Sequence, residues 1–315
     1  MNITAEFINQ NTNFPNLIHA LRNAFATNNI IVPMRHHHDF PNAHSEQPTT
    51  VLLMPAWNPN GNSGVKIITV SPDNYQYNLP AIQGSYLFLD SKTGQVKAII
   101  EAKALTAKRT AAASALAADY LAKKDASTLL MIGTGALAPN LINAHASVRP
   151  IKKVYVWGRN LAKAKAVCEQ FEKANFTIEA VENIESVIAK ADIISCATLS
   201  ETPLVFGKNL KAGQHLDLVG AYKPNMRESD DEAVQKASLF VDTHEGGTKE
   251  PGDIVIPLQN GTITLDDIQA DLFELCSNTK QGRTSEEQIT LFKSVGHALE
   301  DLVAAEYYFD KMIKN

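Results

Sequence analysis

Leu129-Leu130-Met131-Ile132-Gly133-Thr134-Gly135-Ala136-Leu137-Ala138 is an apolar run that breaks into two closely spaced glycines and continues as a helix. A buried parallel strand turning this tightly into a helix aims unpaired N–H groups and the positive dipole end at one spot, which suits a pyrophosphate. The stretch reads as the first half of a Rossmann dinucleotide site, with Gly133, Gly135, Ala136 and Leu137 around the cofactor. Taken alone the Gly-x-Gly-x-x-Ala spacing is a weak signal, because glycines also end ordinary strands.

The next strand, Lys153-Val154-Tyr155-Val156-Trp157, ends in Gly158-Arg159-Asn160, where an NAD-preferring site carries Asp or Glu. A carboxylate there binds the adenosine ribose hydroxyls and repels a 2′-phosphate. None is present. Arg159, Asn160, Lys163 and the nearby Lys165 instead offer donors and positive charge that match a phosphate dianion. NADPH is therefore the expected cofactor, with NADH a weaker substitute. The alternative is a solvated basic helix face.

Around this centre the chain is mildly acidic, with a formal net charge of -5 over 315 residues. No basic stripe invites nucleic acid, and no apolar run approaches membrane-spanning length. The N-terminus lacks the regions of a signal peptide, so a cytoplasmic location is expected. Cys168, Cys196 and Cys276 are widely separated and read as reduced structural thiols. His36-His37-His38 lies in strand-like sequence, where adjacent side chains point to alternate faces, and no metal site is expected from it.

The N-terminal third predicts a helix with apolar residues at Phe7, Leu17, Leu21 and Phe25, then strands over 50–54, 65–70, 84–89 and 96–100. An alanine-rich helix over 106–122 leads into the nucleotide-binding strand. From there strands alternate with helices, at 128–132, 154–157, 177–180, 193–196, 215–219 and 239–241. Such alternation implies an α/β fold with a Rossmann doubly wound parallel sheet, beside an α+β N-terminal domain. After Asp253-Ile254-Val255-Ile256-Pro257 a loop and a last helix from about Ser294 are expected, its Leu299, Leu302, Val303 and Tyr307 forming a packing face. The expected domains are 1–112 with 293–315, for substrate and dimerisation, and 113–292 for NADP(H).

Three cations sit among apolar or small neighbours: Arg35 after Val32-Pro33-Met34, Lys66 in Gly64-Val65-Lys66-Ile67-Ile68, and Arg109 in Leu105-Thr106-Ala107-Lys108-Arg109-Thr110. Long basic side chains are rarely buried unpaired, so the group asks for an anion. A substrate carboxylate is one answer. Snorkelling to water or pairing with an internal acid are the others.

These runs, with Met54-Pro55-Ala56-Trp57, the Gly133-Thr134-Gly135-Ala136 loop, Val219-Gly220-Ala221, Arg227-Glu228 and Leu291-Phe292-Lys293-Ser294-Val295-Gly296, resemble the ornithine cyclodeaminase and mu-crystallin family in order along nearly the whole chain. The resemblance implies a homodimer. It places Arg35, Lys66 and Arg109 on the substrate, with Arg109 also near the nicotinamide, and puts Thr198, Val219 and Gly220 beside that ring. Ser294 and Val295 would close the pocket from the last helix.

One departure directs the choice of reaction. The family's cyclodeaminases carry an aspartate in a Gly-Gly-Asp-x-Pro segment, where this chain reads Gly220-Ala221-Tyr222-Lys223-Pro224. A phenol is a poor carboxylate base at neutral pH. The resemblance then implies a ketimine reductase converting Δ1-pyrroline-2-carboxylate or Δ1-piperideine-2-carboxylate to proline or pipecolate, with Lys66 and Arg109 as catalytic residues. His44, Tyr222 or solvent could supply the proton. An alanine dehydrogenase, an ornithine cyclodeaminase, or a non-catalytic ligand-binding protein like mu-crystallin are the alternatives.

Overall fold

In the computed structural model, residues 1–45 and 47–314 are described. The chain divides into two compact units, residues 1–109 with 297 onward, and residues 110–296.

The first unit opens with β1 (Asn2–Ile3), α1 (Ala5–Asn11) and α2 (Phe14–Thr27). One helix is expected over this stretch, and two form. Helix α1 ends where Thr12 turns extended, and the Asn13 side chain accepts a hydrogen bond from Asn16 N at 3.0 Å, which caps a new helix. Then come β2 (His36–Phe40), β3 (Thr49–Trp57), β4 (Asn62–Val70), β5 (Ile82–Asp90) and β6 (Val96–Glu101), followed by α3 (Ala102–Leu121). The sheet order is β1-β6-β5-β4-β3-β2, antiparallel except where β1 pairs with β6.

Alternation along these strands sends Met54, Lys66, Tyr86 and Ile100, a single cross-strand row, to the buried face. The next row, Pro55, Val65, Leu87 and Ile99, points the other way. It is apolar yet not fully buried, and Ile99 is 45% exposed.

The second unit runs β7 (Thr128–Ile132), α4 (Ala138–Val148), β8 (Lys153–Trp157), α5 (Leu161–Glu169), β9 (Thr177–Val181), β10 (Ile193–Cys196), β11 (His215–Leu218), α6 (Asp231–Lys236), β12 (Ser238–Val241), α7 (His244–Lys249), α8 (Gly252–Gln259), β13 (Ile268–Asp271), α9 (Leu272–Cys276) and β14 (Thr290–Lys293). All eight strands are parallel, in the order β13-β12-β14-β11-β10-β7-β8-β9. The order reverses between β7 and β10, and a dinucleotide crosses the carboxyl edge at such a switch point. The expected α/β fold with a Rossmann sheet is the one found.

Two expectations are corrected here, and the run from Asp253 to Pro257 gains a definite form. The sheet does not stop at Val241, since β13 and β14 extend it and β14 inserts between β11 and β12. Asp253-Ile254-Val255-Ile256-Pro257 lies in α8. The last helix, α10 (Ala298–Lys314), begins four residues after Ser294, so Ser294 and Val295 form the exit of β14 and not a helix. Four-residue strands show too few alternations to be told from a loop. Helix α10 packs on β3, β4, β5 and α2 and completes the first unit. No helix among the described residues is long and apolar enough to cross a membrane.

Candidate functional site

In the first unit, Lys66 projects from the buried face of β4 and Arg109 from α3, and both meet the start of α10. Asp301 holds them together. Its Oδ2 lies 2.7 Å from Lys66 Nζ, and its Oδ1 accepts from Arg109 Nε at 2.9 Å. Arg109 Nη1 donates to Glu300 Oε2 at 2.7 Å, and Glu300 Oε1 accepts from His297 N. All four charged residues are buried. The anion that Lys66 and Arg109 ask for is thus provided by internal acids, the alternative left open by the sequence.

These neighbours set the ionisation of the group. Burial lowers Lys66 to about 8 against the attraction of Asp301, and the positive charges of Arg109 and Arg35 push the same way as burial. Burial also works against the Arg109 charge, but Asp301 and Glu300 more than offset it and hold its pKa above the ordinary value. His297 is lowered to about 4 by burial and by Arg35, so it is neutral at pH 7. Half-buried Arg35 is therefore close enough to act on both Lys66 and His297. His44 lies exposed in a turn.

Sequence reasoning missed Asp301, Glu300 and Tyr86. Two adjacent acids within the apolar stripe of the last helix were the available signal for the first two. Tyr86 stands opposite Lys66 in the sheet, fully buried, its hydroxyl without a hydrogen-bond partner among the described residues.

In the second unit the β7–α4 turn has the form a pyrophosphate needs. Gly133 adopts φ +119°, and a Cβ there would lie 2.5 Å from Ala197 O, so only glycine fits. At Gly135 a Cβ would meet nothing within 4 Å; the space above the loop is open. Gly135 and Ala136 are exposed and Leu137 half-exposed, ahead of an α4 N-terminus that has no side-chain cap. This is a cradle for an anionic group. A nicotinamide dinucleotide fits these residues.

After β8, Arg159 and Lys163 are exposed, while Asn160 caps α5 by accepting from Lys163 N at 3.2 Å. On the other side of the switch point, Thr198 follows β10 and Val219-Gly220 follows β11. Ser294 N donates to Leu218 O, and Val295 N to Asp242 Oδ2 at 2.7 Å, which fixes the exit of β14. Glu228 ties the first two of these loops together, a role the sequence did not reveal. Its carboxylate accepts from Thr198 N and from Gly220 N, at 2.7 and 2.8 Å.

Two other polar groups have different explanations. Ser195 Oγ and His145 Nε2 both bond to Asp217 Oδ2 in the interior, so the histidine does not serve the serine as a base. His244, Asp271 and Glu274 converge within 4.8 Å, but their oxygens already take part in the capping box of α9 and the His244–Glu274 pair.

The model of the ornithine cyclodeaminase/mu-crystallin family matches residues 1–315. The chain belongs to that family. A Delta(1)-pyrroline-2-carboxylate reductase of Colwellia psychrerythraea is 36% identical over 313 residues, covering 98% of each chain. The solved Delta(1)-pyrroline-2-carboxylate reductase of Thermococcus litoralis, in complex with NADH and L-proline, is similar with a TM-score of 0.92 at 33% identity. It covers 100% of this chain and 98% of its own. An archaeal alanine dehydrogenase dimer with bound NAD has a TM-score of 0.91 at 26% identity, covering 100% and 96%. Within the family, the chain is thus similar to the ketimine reductases, as its motifs imply.

Proposed function

We propose that this chain reduces Δ1-pyrroline-2-carboxylate and Δ1-piperideine-2-carboxylate to L-proline and L-pipecolate, with NADPH preferred and NADH a weaker substitute. The broader class, an NAD(P)H-dependent oxidoreductase acting on C=N bonds, is supported by the named relatives and the dinucleotide edge. The observation that carries imine reduction is the buried Lys66–Asp301–Arg109 group, with an ammonium whose pKa has come down to about 8.

Reduction of an imine needs one proton at nitrogen and one hydride at carbon. The cofactor, when bound, supplies the hydride. Lys66 is the proposed proton donor, returning to its charged form from water, because a donor whose pKa lies close to the working pH gives up its proton readily. Asp301 orients the ammonium. Arg109 keeps its charge at every working pH, and with Arg35 it is the proposed holder of the substrate carboxylate. Its Nε and Nη1 are engaged by α10, which fixes the plane of the guanidinium.

NADPH preference rests on Arg159 and Lys163, exposed after β8, and on the lack of an acid in Gly158-Arg159-Asn160. Thr198, Val219, Gly220 and Ser294 are the proposed nicotinamide neighbours, and Val295 a substrate neighbour. We assign a homodimer to the outward apolar row of Pro55, Val65, Leu87 and Ile99. A second copy of this chain is the partner that covers it.

The test is imine-dependent loss of NADPH absorbance with each cyclic substrate, repeated with NADH, beside pyruvate plus ammonia and beside ornithine. Rapid oxidation with the cyclic imines supports the proposal. Turnover confined to pyruvate and ammonia would make the chain an alanine dehydrogenase, and ammonia release from ornithine a cyclodeaminase.

A further inference from the structure

The interior of the second unit holds a charged cluster that imine reduction does not itself require. Glu228, Asp253 and Lys293 are all fully buried. Lys293 Nζ stands 3.2 Å from Asp253 Oδ2 and 3.9 Å from Glu228 Oε2. Buried charge of this kind is weak as a stabiliser, because apolar side chains of similar volume often hold an interior as well or better. Its hydrogen bonds show where it acts.

Both oxygens of Glu228 are occupied by donors from two separate loops. Oε1 accepts from Thr198 N at 2.7 Å and from Thr198 Oγ1 at 2.8 Å. Oε2 accepts from Gly220 N at 2.8 Å and Ala221 N at 3.2 Å. Three backbone N–H donors and a hydroxyl gathered on one side chain favour an ionised carboxylate. The loops also touch directly, since a Cβ on Gly220 would come within 2.0 Å of Thr198 O.

Glu228 is itself held from behind. Asp253 Oδ1 accepts from Glu228 N at 2.8 Å, Ser229 N at 3.0 Å and Ser229 Oγ at 3.2 Å, which pins the backbone that carries the carboxylate. Burial raises the Glu228 pKa, Lys293 opposes that rise, the Asp253 charge adds to it, and the hydrogen bonds from Thr198 work against it. The cluster therefore links α8 and the end of β14 to the loops after β10 and β11.

Those loops lie on the side of the switch point opposite the pyrophosphate turn, where the second half of a dinucleotide rests. We propose that Glu228 is a positioning residue that locks the loops after β10 and β11 into one platform for the nicotinamide end of the cofactor, with Asp253 pinning its backbone and Lys293 facing its carboxylate. This rests on the dinucleotide assignment above and is independent of which imine is reduced.

The experiment is titration calorimetry on the full-length protein and on Glu228→Gln and Glu228→Asp, with folding checked by circular dichroism. The ligands are whichever of NADPH and NADH the native protein binds, and the matching ADP-ribose fragment, which lacks the nicotinamide ring. The amide of Glu228→Gln turns one acceptor into a donor facing donors. Glu228→Asp keeps the charge but withdraws it by a methylene, so one side chain no longer spans both loops. Each variant should weaken the dinucleotide by about 10-fold or more while changing the fragment by less than about 2-fold, the effect of losing charge-assisted bonds at one end of the site. Equal losses for dinucleotide and fragment would mean a general structural role and overturn the proposal, as would unchanged affinity for both. Native protein that binds neither dinucleotide would overturn the cofactor assignment itself, a separate failure. If Glu228→Gln does not fold, Glu228→Asp carries the test.

Discussion

Asp301 engages Lys66 and Arg109 at once, through different oxygens at 2.7 and 2.9 Å, so one carboxylate from α10 fixes two cations from β4 and α3. Charge retained in an interior at this desolvation cost, where apolar side chains of similar volume often serve stability as well, points to use in chemistry.

The first prediction concerns the proton. Lys66 must be protonated to act as the acid, so kcat for the cyclic imine should fall as pH rises through about 8. Lys66→Met should lower kcat by about 10²- to 10⁴-fold, the usual contribution of a placed acid. Asp301→Asn removes the negative charge that favours the ammonium, and the basic limb of the profile should move to lower pH. A limb that stays in place in Asp301→Asn would exclude Lys66 as the donor.

The second concerns the adenosine end. Arg159→Ala should raise the KM for NADPH by about 10-fold, leave NADH little changed, and barely affect kcat, the pattern expected when a binding contact is lost. The ratio of kcat/KM for the two cofactors decides it, and an unchanged ratio refutes the phosphate assignment.

Two glycines in one turn should respond differently. Gly133→Ala places a methyl 2.5 Å from a backbone carbonyl at φ +119°, and should cost about 1–3 kcal/mol of stability, measured by denaturant unfolding. Gly135→Ala meets open space and should leave stability unchanged, while weakening dinucleotide binding because the methyl stands where a pyrophosphate approaches. Destabilisation by Gly135→Ala would contradict this division.

A fourth test addresses assembly. Leu87→Glu puts a charge in the centre of the outward apolar row of the six-stranded sheet. Sedimentation should show a dimer for the native protein and a monomer for the variant. A native monomer, or a variant that remains dimeric, removes that face as the interface.

Much of this molecule is legible along the chain, for identifiable reasons. The run from Leu129 to Ala138 discloses strand, turn and helix because each depends on neighbouring residues: apolar content for burial, glycine for the positive φ at Gly133, and a helix that starts without a side-chain cap. The basic residues after β8 are visible for the same reason, since their place relative to the second strand is fixed within a few residues. Arg35, Lys66 and Arg109 are conspicuous because cations among apolar neighbours are uncommon.

What answers those cations was decided only by the tertiary structure. Asp301 is 192 residues from Arg109 in sequence, and no local pattern relates them. Asp253 and Lys293 reach Glu228 in the same way, from segments whose elements are not evident along the chain, because α8 and the four-residue β14 owe their form to packing and not to a local period. The sequence determined the dinucleotide turn and the identity of the charged groups, because backbone conformation and charge are local properties. Which groups pair, and hence how readily Lys66 gives up a proton, follows from burial and long-range contact, which exist only once the chain has folded.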